Sequence, residues 1–380
     1  MSDLTFYPGS VLVILGYQCT NNCSYCYLKK NGAHMEQNMS LETFEKAIDW
    51  YEKFISNPDL PYIPSIALIG GEPLKYWDSL DFEKNLPRIS EIVHKYGKEI
   101  RLVSNGILLT EKRRKLIRDY DIHMDISMDG FQAAHDLNRK TKEGEPTWEK
   151  AMRAVQWLME DGNDLRVRAT VAQNNAKNLF EMYHFLYELG CKRWGIEVDT
   201  FSTWSPKRIS WLSVEYDKAV EHYVSHYDPD RSCFSFDRTL KMLAPNFVNS
   251  SYMDTKFLRP NSIAILPPGD IQVNHNFPVW SDIETAKYFD IGNIFTGLDE
   301  DIVQGYLDRF GLMTESSYFA QNEESICKTC PAAGIMCQNP WINKTLPRSV
   351  WIPNHDIQCY ALRLVALYGE KYLKKYGYKK

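Results

Sequence analysis

The sequence contains no apolar run long enough to cross a membrane; the run Val11–Leu15 falls far short of the roughly 20 residues a helical span needs. The opening Met-Ser-Asp-Leu-Thr is not basic, so no secretory signal is visible. Positive charge is not in excess either. Lys and Arg number 44 against 49 Asp and Glu, a formal net charge of −5, which leaves no electrostatic footprint for nucleic acid. The tail from Lys371 to Lys380 is interleaved with tyrosines and reads as the solvated end of a helix. Internal repeats and low-complexity tracts are also missing. The expectation is a cytoplasmic protein with neither membrane nor nucleic acid as partner. Hydrophobic residues make up 44% and charged residues 24%, the balance of an ordinary globular chain. Its 380 residues suffice for one large core, or a large domain with a smaller one.

Nine cysteines in a cytosolic chain point to metal or redox chemistry rather than disulfides. Three stand together at Cys19, Cys23 and Cys26, three more at Cys327, Cys330 and Cys337, and Cys359 follows. Around the first group, short β-branched runs alternate with amphipathic stretches. Strands are predicted at Val11–Gly16, Ser65–Ile69, Ile100–Val103, His123–Ser127, Arg166–Val171 and Arg193–Val198. Helices are predicted between them at Leu41–Ile55, Phe82–Tyr96, Glu111–Asp119, Thr147–Glu160 and Asn178–Leu189, the first capped by Ser40. Such βα repeats predict a parallel sheet with its ligand site at the carboxyl ends of the strands. Periodicity leaves an open sheet and an incomplete barrel both standing. A bridging region is expected over 206–255. Beyond it, Ile263–Leu266 and Ile271–Val273 flank Pro-Pro-Gly as a β-hairpin, and Gln358–Lys375 forms a closing helix.

The spacing Cys19-x3-Cys23-x2-Cys26 directly follows the first strand. Three thiolates on one loop leave one iron of a 4Fe–4S cubane without a protein ligand, which is what substrate activation at a metal requires. Structural zinc normally takes four ligands in paired spacing, so this run argues against it. The same loop, with Tyr25 before its last cysteine, resembles the signature of radical S-adenosylmethionine (SAM) enzymes. Gly70-Gly71-Glu72-Pro73 after the second strand resembles that family's GGEP element. Ser104-Asn105-Gly106 ends the third strand, and Ser127-Met128-Asp129-Gly130, ending the fourth, resembles the SxDG element. The resemblance implies a partial (βα)6 TIM-like barrel over 1–205, with SAM chelating the open iron of a 4Fe–4S cluster. It also implies SAM contacts at Tyr25, Gly70, Gly71, Glu72, Pro73, Asn105, Ser127 and Asp129. SAM is a zwitterionic sulfonium: Glu72 and the backbone at Gly70–Gly71 suit its ammonium, and Ser127 with Arg139 or Arg168 suits its carboxylate.

Cys327-x2-Cys330, Cys337 and Cys359 fit structural zinc or a fully ligated cluster equally on spacing. The stretch 256–380 resembles the SPASM/twitch extension of peptide-modifying radical SAM enzymes, a small loop-rich Fe–S domain. It departs from that pattern coherently. Gly269 is present, but the fifth residue beyond it is Asn274, and Trp341 stands four residues past Cys337. In the family the missing cysteines serve one auxiliary cluster, and the four retained here serve the other. Two 4Fe–4S clusters are therefore expected, one SAM-binding and one auxiliary.

By resemblance the activity is reductive cleavage of SAM to a 5′-deoxyadenosyl radical that takes hydrogen from a peptide or protein substrate, with electrons from a flavodoxin- or ferredoxin-type donor. Crosslinking, oxidation and epimerisation are the outcomes considered. Cys233, or Cys191, is a candidate hydrogen donor, against the ordinary reading of a buried thiol. His275 occupies the place where sulfatase maturases carry a catalytic Asp, and is a candidate base. Only a short segment precedes the first strand, so a leader-binding domain is not expected there. Alternatives are a small-molecule dehydrogenase or epimerase, formylglycine formation, and a non-enzymatic Fe–S or zinc protein.

Overall fold

A computed structural model describes residues 8–29, 37–58, 60, 63–244, 247, 262–273, 290–311 and 355–378. Its strands are β1 (Ser10–Ile14), β2 (Ser65–Ile69), β3 (Ile100–Ser104), β4 (His123–Ser127), β5 (Arg166–Val171), β6 (Arg193–Val198) and β7 (Ser232–Cys233), then β8 (Ser262–Ile265), β9 (Asp270–Val273), β10 (Asp290–Asn293) and β11 (Gly297–Leu298). The helices are α1 (Leu41–Ile55), α2 (Phe82–Lys95), α3 (Glu111–Asp119), α4 (Gln132–Asn138), α5 (Trp148–Glu160), α6 (Leu179–Glu188), α7 (Pro206–Ser225), α8 (Phe234–Leu243), α9 (Glu300–Gly311) and α10 (His355–Lys375).

Strands β1 to β7 lie side by side in chain order, all parallel. Consecutive order without a switch point puts every right-handed crossover on the same side, so among the described residues the crossover helices cover one face of β1 to β7, and the opposite face is free of them. That is the singly wound, barrel-like arrangement rather than the doubly wound one, and it is the parallel-sheet α/β core the βα repeats predict. The strand side chains divide accordingly. In β5, Val167, Ala169 and Val171 are buried beneath helices while Arg166, Arg168 and Thr170 alternate onto the helix-free face. The predicted hairpin forms as β8–β9, and β8 adds in parallel to β1, so the sheet runs unbroken from the N-terminal βα units into the later segment.

Helix α1 illustrates how local signals set the elements. Ser40 Oγ accepts the Thr43 N–H at 3.0 Å, and Phe44, Ala47, Ile48, Tyr51 and Ile55 face the core at helical spacing. Leu41, whose spacing also suggests burial, is 38% exposed because it begins the first turn beside solvent.

Opposite the carboxyl ends, a charged network closes the sheet. Arg101 pairs with Glu99 (2.7 Å), Asp125 (3.1 Å) and Asp164, and His123 pairs with Glu99 at 2.8 Å. The donor atoms of Glu99, His123 and Asp164 lie within 4.8 Å of one another, but the buried Arg101 guanidinium already supplies their cation. Burial alone would lower the His123 pKa; hydrogen bonds to Asp164 and Glu99, with the Glu99 charge, instead raise it from 6.5 to about 9. Glu99, drawn down to about 2 by His123 and Arg101 despite its burial, stays ionised across that window. The folded value for His123 exceeds the unfolded one, so its stabilisation is complete below pH 6.5 and is lost as pH rises through 9. Discounted for solvent screening, it amounts to about 1 to 2 kcal/mol. Thermal melts should therefore fall from pH 6.5 to 9.5 in the native chain and fall less in His123→Gln; equal falls would refute this.

Candidate active site at the carboxyl ends of the strands

The cysteine loop leaves β1 and is gripped from two sides by backbone. On one side, Gly71 N–H donates to Gly16 O and Glu72 N–H to Gln18 O, both at 2.9 Å. A Cβ on Gly71 would lie 2.2 Å from Gln18 O, and one on Gly70 would lie 2.3 Å from Gly16 O. Main chain meets main chain here, which is why two glycines stand together. On the other side, Asn22 N–H donates to Lys140 O (2.7 Å) and Ser24 N–H to Asn138 O (3.0 Å), with Ser24 Oγ on Asn138 Oδ1 at 2.6 Å.

Cys19, Cys23 and Cys26 are half-buried on this loop. Asn21 N–H and Asn105 Nδ2 approach Cys19 Sγ at 3.4 and 3.6 Å, and Asn105 also donates to Thr20 Oγ1 at 2.9 Å. Burial pushes the Cys19 thiol up to about 11, partly offset by the Asn21 N–H. The three sulfurs are not all within 4.8 Å of one another, since among the described residues only Glu99, His123 and Asp164 meet that test.

Glu72 is fully buried and turns inward. Its carboxylate accepts from Leu74 N–H (3.0 Å), Ser104 Oγ (2.7 Å) and Asn105 N–H (2.7 Å). Burial raises its pKa and these three donors oppose the rise. The side chain thus ties the end of β2 to the end of β3. Pro73, also buried, opens the one-turn helix that follows.

Asp129, just beyond β4, is fully buried. Its Oδ2 accepts from Tyr25 Oη at 2.5 Å, and its Oδ1 from Arg139 Nε (3.0 Å) and Thr170 N–H (2.8 Å). Arg139 also lies over the Tyr25 ring at 5.2 Å. Burial pushes the Asp129 carboxyl up while Arg139 and the other donors pull it back, and Asp129 holds Arg139 as a guanidinium. Burial lowers His135 to about 3, so it is neutral. Its Nδ1 accepts the Asp129 N–H at 3.2 Å, which leaves Nε2–H to donate to Thr147 Oγ1 (3.0 Å), whose hydroxyl donates to Arg139 O (2.6 Å). This relay fixes both partners of the Asp129–Arg139 pair.

Of the two arginines the sequence left open, Arg139 stands beside the cysteine loop. Arg168 lies lower on the helix-free face, paired with Asp125 at 2.8 Å over the Phe234 ring. Ser127 is half-buried at the end of β4, in register with Arg168. Cys233 is not brought to this site. It is fully buried in β7, opposite Trp194 at the amino end of β6, about 13 Å of strand from the carboxyl end. Cys191 is likewise buried just before β6, at that same end. His275, Cys327, Cys330 and Cys337 lie outside the described residues; Cys359 lies in α10. Sequence reasoning missed Thr20, Asn138, His135, Thr147 and Thr170, which act through contacts between distant segments.

Residues 13–186 match the Radical SAM superfamily model. The chain is 31% identical over 185 residues to a serine-type anaerobic sulfatase-maturating enzyme of Bacteroides thetaiotaomicron, covering 47% of this chain and 42% of that one. It is 24% identical over 182 residues to the radical SAM cyclopropyl synthase TigE of Paramaledivibacter caminithermalis, covering 43% and 36%. The matched stretch thus spans less than half the length of these relatives. The solved structure of native anSMEcpe with bound AdoMet and Cp18Cys peptide shares the fold over 97% of both chains, with a TM-score of 0.70 at 19% identity. Streptococcus suis SuiB bound to precursor peptide SuiA overlaps 87% of this chain and 71% of its own at a TM-score of 0.53 and 13% identity. With the cysteine loop, the Gly-Gly-Glu turn and the Asp129 turn assembled at one end of such a sheet, the chain carries a domain of the radical SAM superfamily.

Proposed function

We propose that this protein is a radical SAM enzyme acting on a peptide or protein substrate. The reading rests chiefly on the cysteine loop, docked by backbone against Gly70–Glu72 and residues 138–140, with the Tyr25–Asp129–Arg139 cluster behind it. Cys19, Cys23 and Cys26 would hold a 4Fe–4S cluster. When bound there, the cluster and SAM supply a 5′-deoxyadenosyl radical for hydrogen abstraction. The chain's part is positional. Main chain at Gly70–Gly71 would receive the SAM ammonium, and Ser127 and Arg139 would receive its carboxylate. The Asp129 clamp keeps Tyr25, and so the last turn of the loop, from shifting during turnover. An auxiliary cluster on Cys327, Cys330, Cys337 and Cys359, the division into 1–205, 206–255 and 256–380, and an external flavodoxin- or ferredoxin-type donor belong to the same proposal. So does His275 as a base.

A peptide substrate is supported by the peptide-bound relatives of the same fold. The sulfatase-maturase relatives support a second reading, formylglycine formation on a sulfatase-type protein.

The test is anaerobic reconstitution with iron and sulfide, followed by dithionite and SAM with quantified 5′-deoxyadenosine. The native chain should form it, and Cys19→Ala, Cys23→Ala and Cys26→Ala should each fall at least about 100-fold, since each removes a cluster ligand. Intact SAM in the native protein, with its cluster loaded and candidate peptides present, would overturn the reading.

A further inference from the structure

Resting on the peptide reading above, we infer that Glu197 is a substrate-specificity residue that pairs with a cationic side chain of the peptide. Three observations carry this. First, the alternation in β6 buries Trp194 and Ile196 under helices and turns Gly195 and Glu197 to the helix-free face. Glu197 is in register with Thr170, whose N–H is bonded to Asp129, so its carboxylate stands one strand from the candidate cofactor turn.

Second, Glu197 is the loosely held carboxylate on this face. Arg168 is held by the buried carboxylate of Asp125 at 2.8 Å. Its approach to Glu197 is longer, 3.7 Å, and the Glu197 side chain is 63% exposed. Asp125 is also paired with the buried Arg101 guanidinium at 3.1 Å, so of the two carboxylates beside Arg168 it is Glu197, the accessible one, that is loosely engaged.

Third, the neighbourhood is shaped rather than open. Gly195 has no side chain because the Phe234 ring fills the space, within 2.0 Å of where a Cβ would stand. Arg168 lies over that ring at 5.1 Å. An aromatic surface beside an accessible carboxylate suits a Lys or Arg side chain, whose alkyl stem packs while its head pairs. The opposite choice, an acidic peptide residue on Arg168, would meet Glu197 and Asp125 as like charges.

The experiment uses the full reconstituted chain and three fluorescein-labelled peptides, Gly-Ser-Ala-X-Ala-Ser-Gly with X as Lys, Gln or Glu, read by fluorescence anisotropy. Native protein should bind the Lys peptide about fivefold tighter than the Glu peptide, the scale of a partly exposed ion pair. Glu197→Gln should level the series and Glu197→Lys should invert it. Glu149→Lys, the same charge change on exposed α5, should leave the native ranking intact. An unchanged ranking in Glu197→Lys, inversion by Glu149→Lys, or no binding of any peptide by native protein would each overturn the inference. 5′-Deoxyadenosine formation, measured on the same samples with SAM and dithionite, separates the two claims. If it persists while the ranking fails, only the specificity role is lost.

Discussion

Replacing Arg139 by Met should destabilise the apoprotein by about 3 to 5 kcal/mol, because it leaves a buried carboxylate without its cation. Asp129 has no exposed surface, and its remaining donors, Tyr25 and the Thr170 N–H, carry no formal charge. Removing both charges with Asp129→Asn/Arg139→Met should recover part of the loss, since the penalty comes from the orphaned ion rather than from the pair itself. Urea unfolding of the two variants beside the native chain measures this. If the double variant is no more stable than Arg139→Met, the pair is not what stabilises the turn. The site should suffer as well. Arg139 covers the Tyr25 ring, and the main chain on either side of it grips Asn22 and Ser24. The cysteine loop loses its packing on the side where Cys23 and Cys26 sit.

That coupling shows where sequence reasoning reached and where it stopped. Strands β2, β4, β5 and β6 are legible because β-branched runs stand out between amphipathic helices, and α1 because Ser40 and a regular apolar stripe agree. The motifs are legible as strings at strand ends. Orientation is not. Glu72 reads as a group suited to an ammonium; its burial and its bonds to Leu74, Ser104 and Asn105 are not visible in the string. Cys233 reads as a candidate donor until pairing with Trp194 assigns it to the amino end of the sheet. Helix α4 escapes because it has only seven residues and Phe131 provides no side-chain cap. The addition of β8 to β1 joins residues far apart in the chain, which no local period encodes.

The Gly-Gly turn gives the other large effect. Gly71→Ala should abolish 5′-deoxyadenosine formation to below about one hundredth of native, because the new methyl would lie 2.2 Å from Gln18 O and 2.6 Å from Tyr17 O. Both obstacles are main chain, so neither can rotate away, and Gln18 immediately precedes Cys19. Relief requires the loop to move off the turn, breaking the Gly71–Gly16 and Glu72–Gln18 hydrogen bonds that position it. Stability should fall less than function, by about 1 to 3 kcal/mol, as for other overpacked sites. Iron analysis distinguishes a displaced loop from a misfolded chain. With two 4Fe–4S clusters the native protein should hold about eight irons, and Gly71→Ala about four, the auxiliary cluster being retained. Full iron with lost activity would mean that the turn acts on SAM rather than on the cysteines. Full iron with full activity would mean that the Gly71–Gln18 contact is not needed at all, and with it would go the claim that main-chain docking is what aims the three thiols.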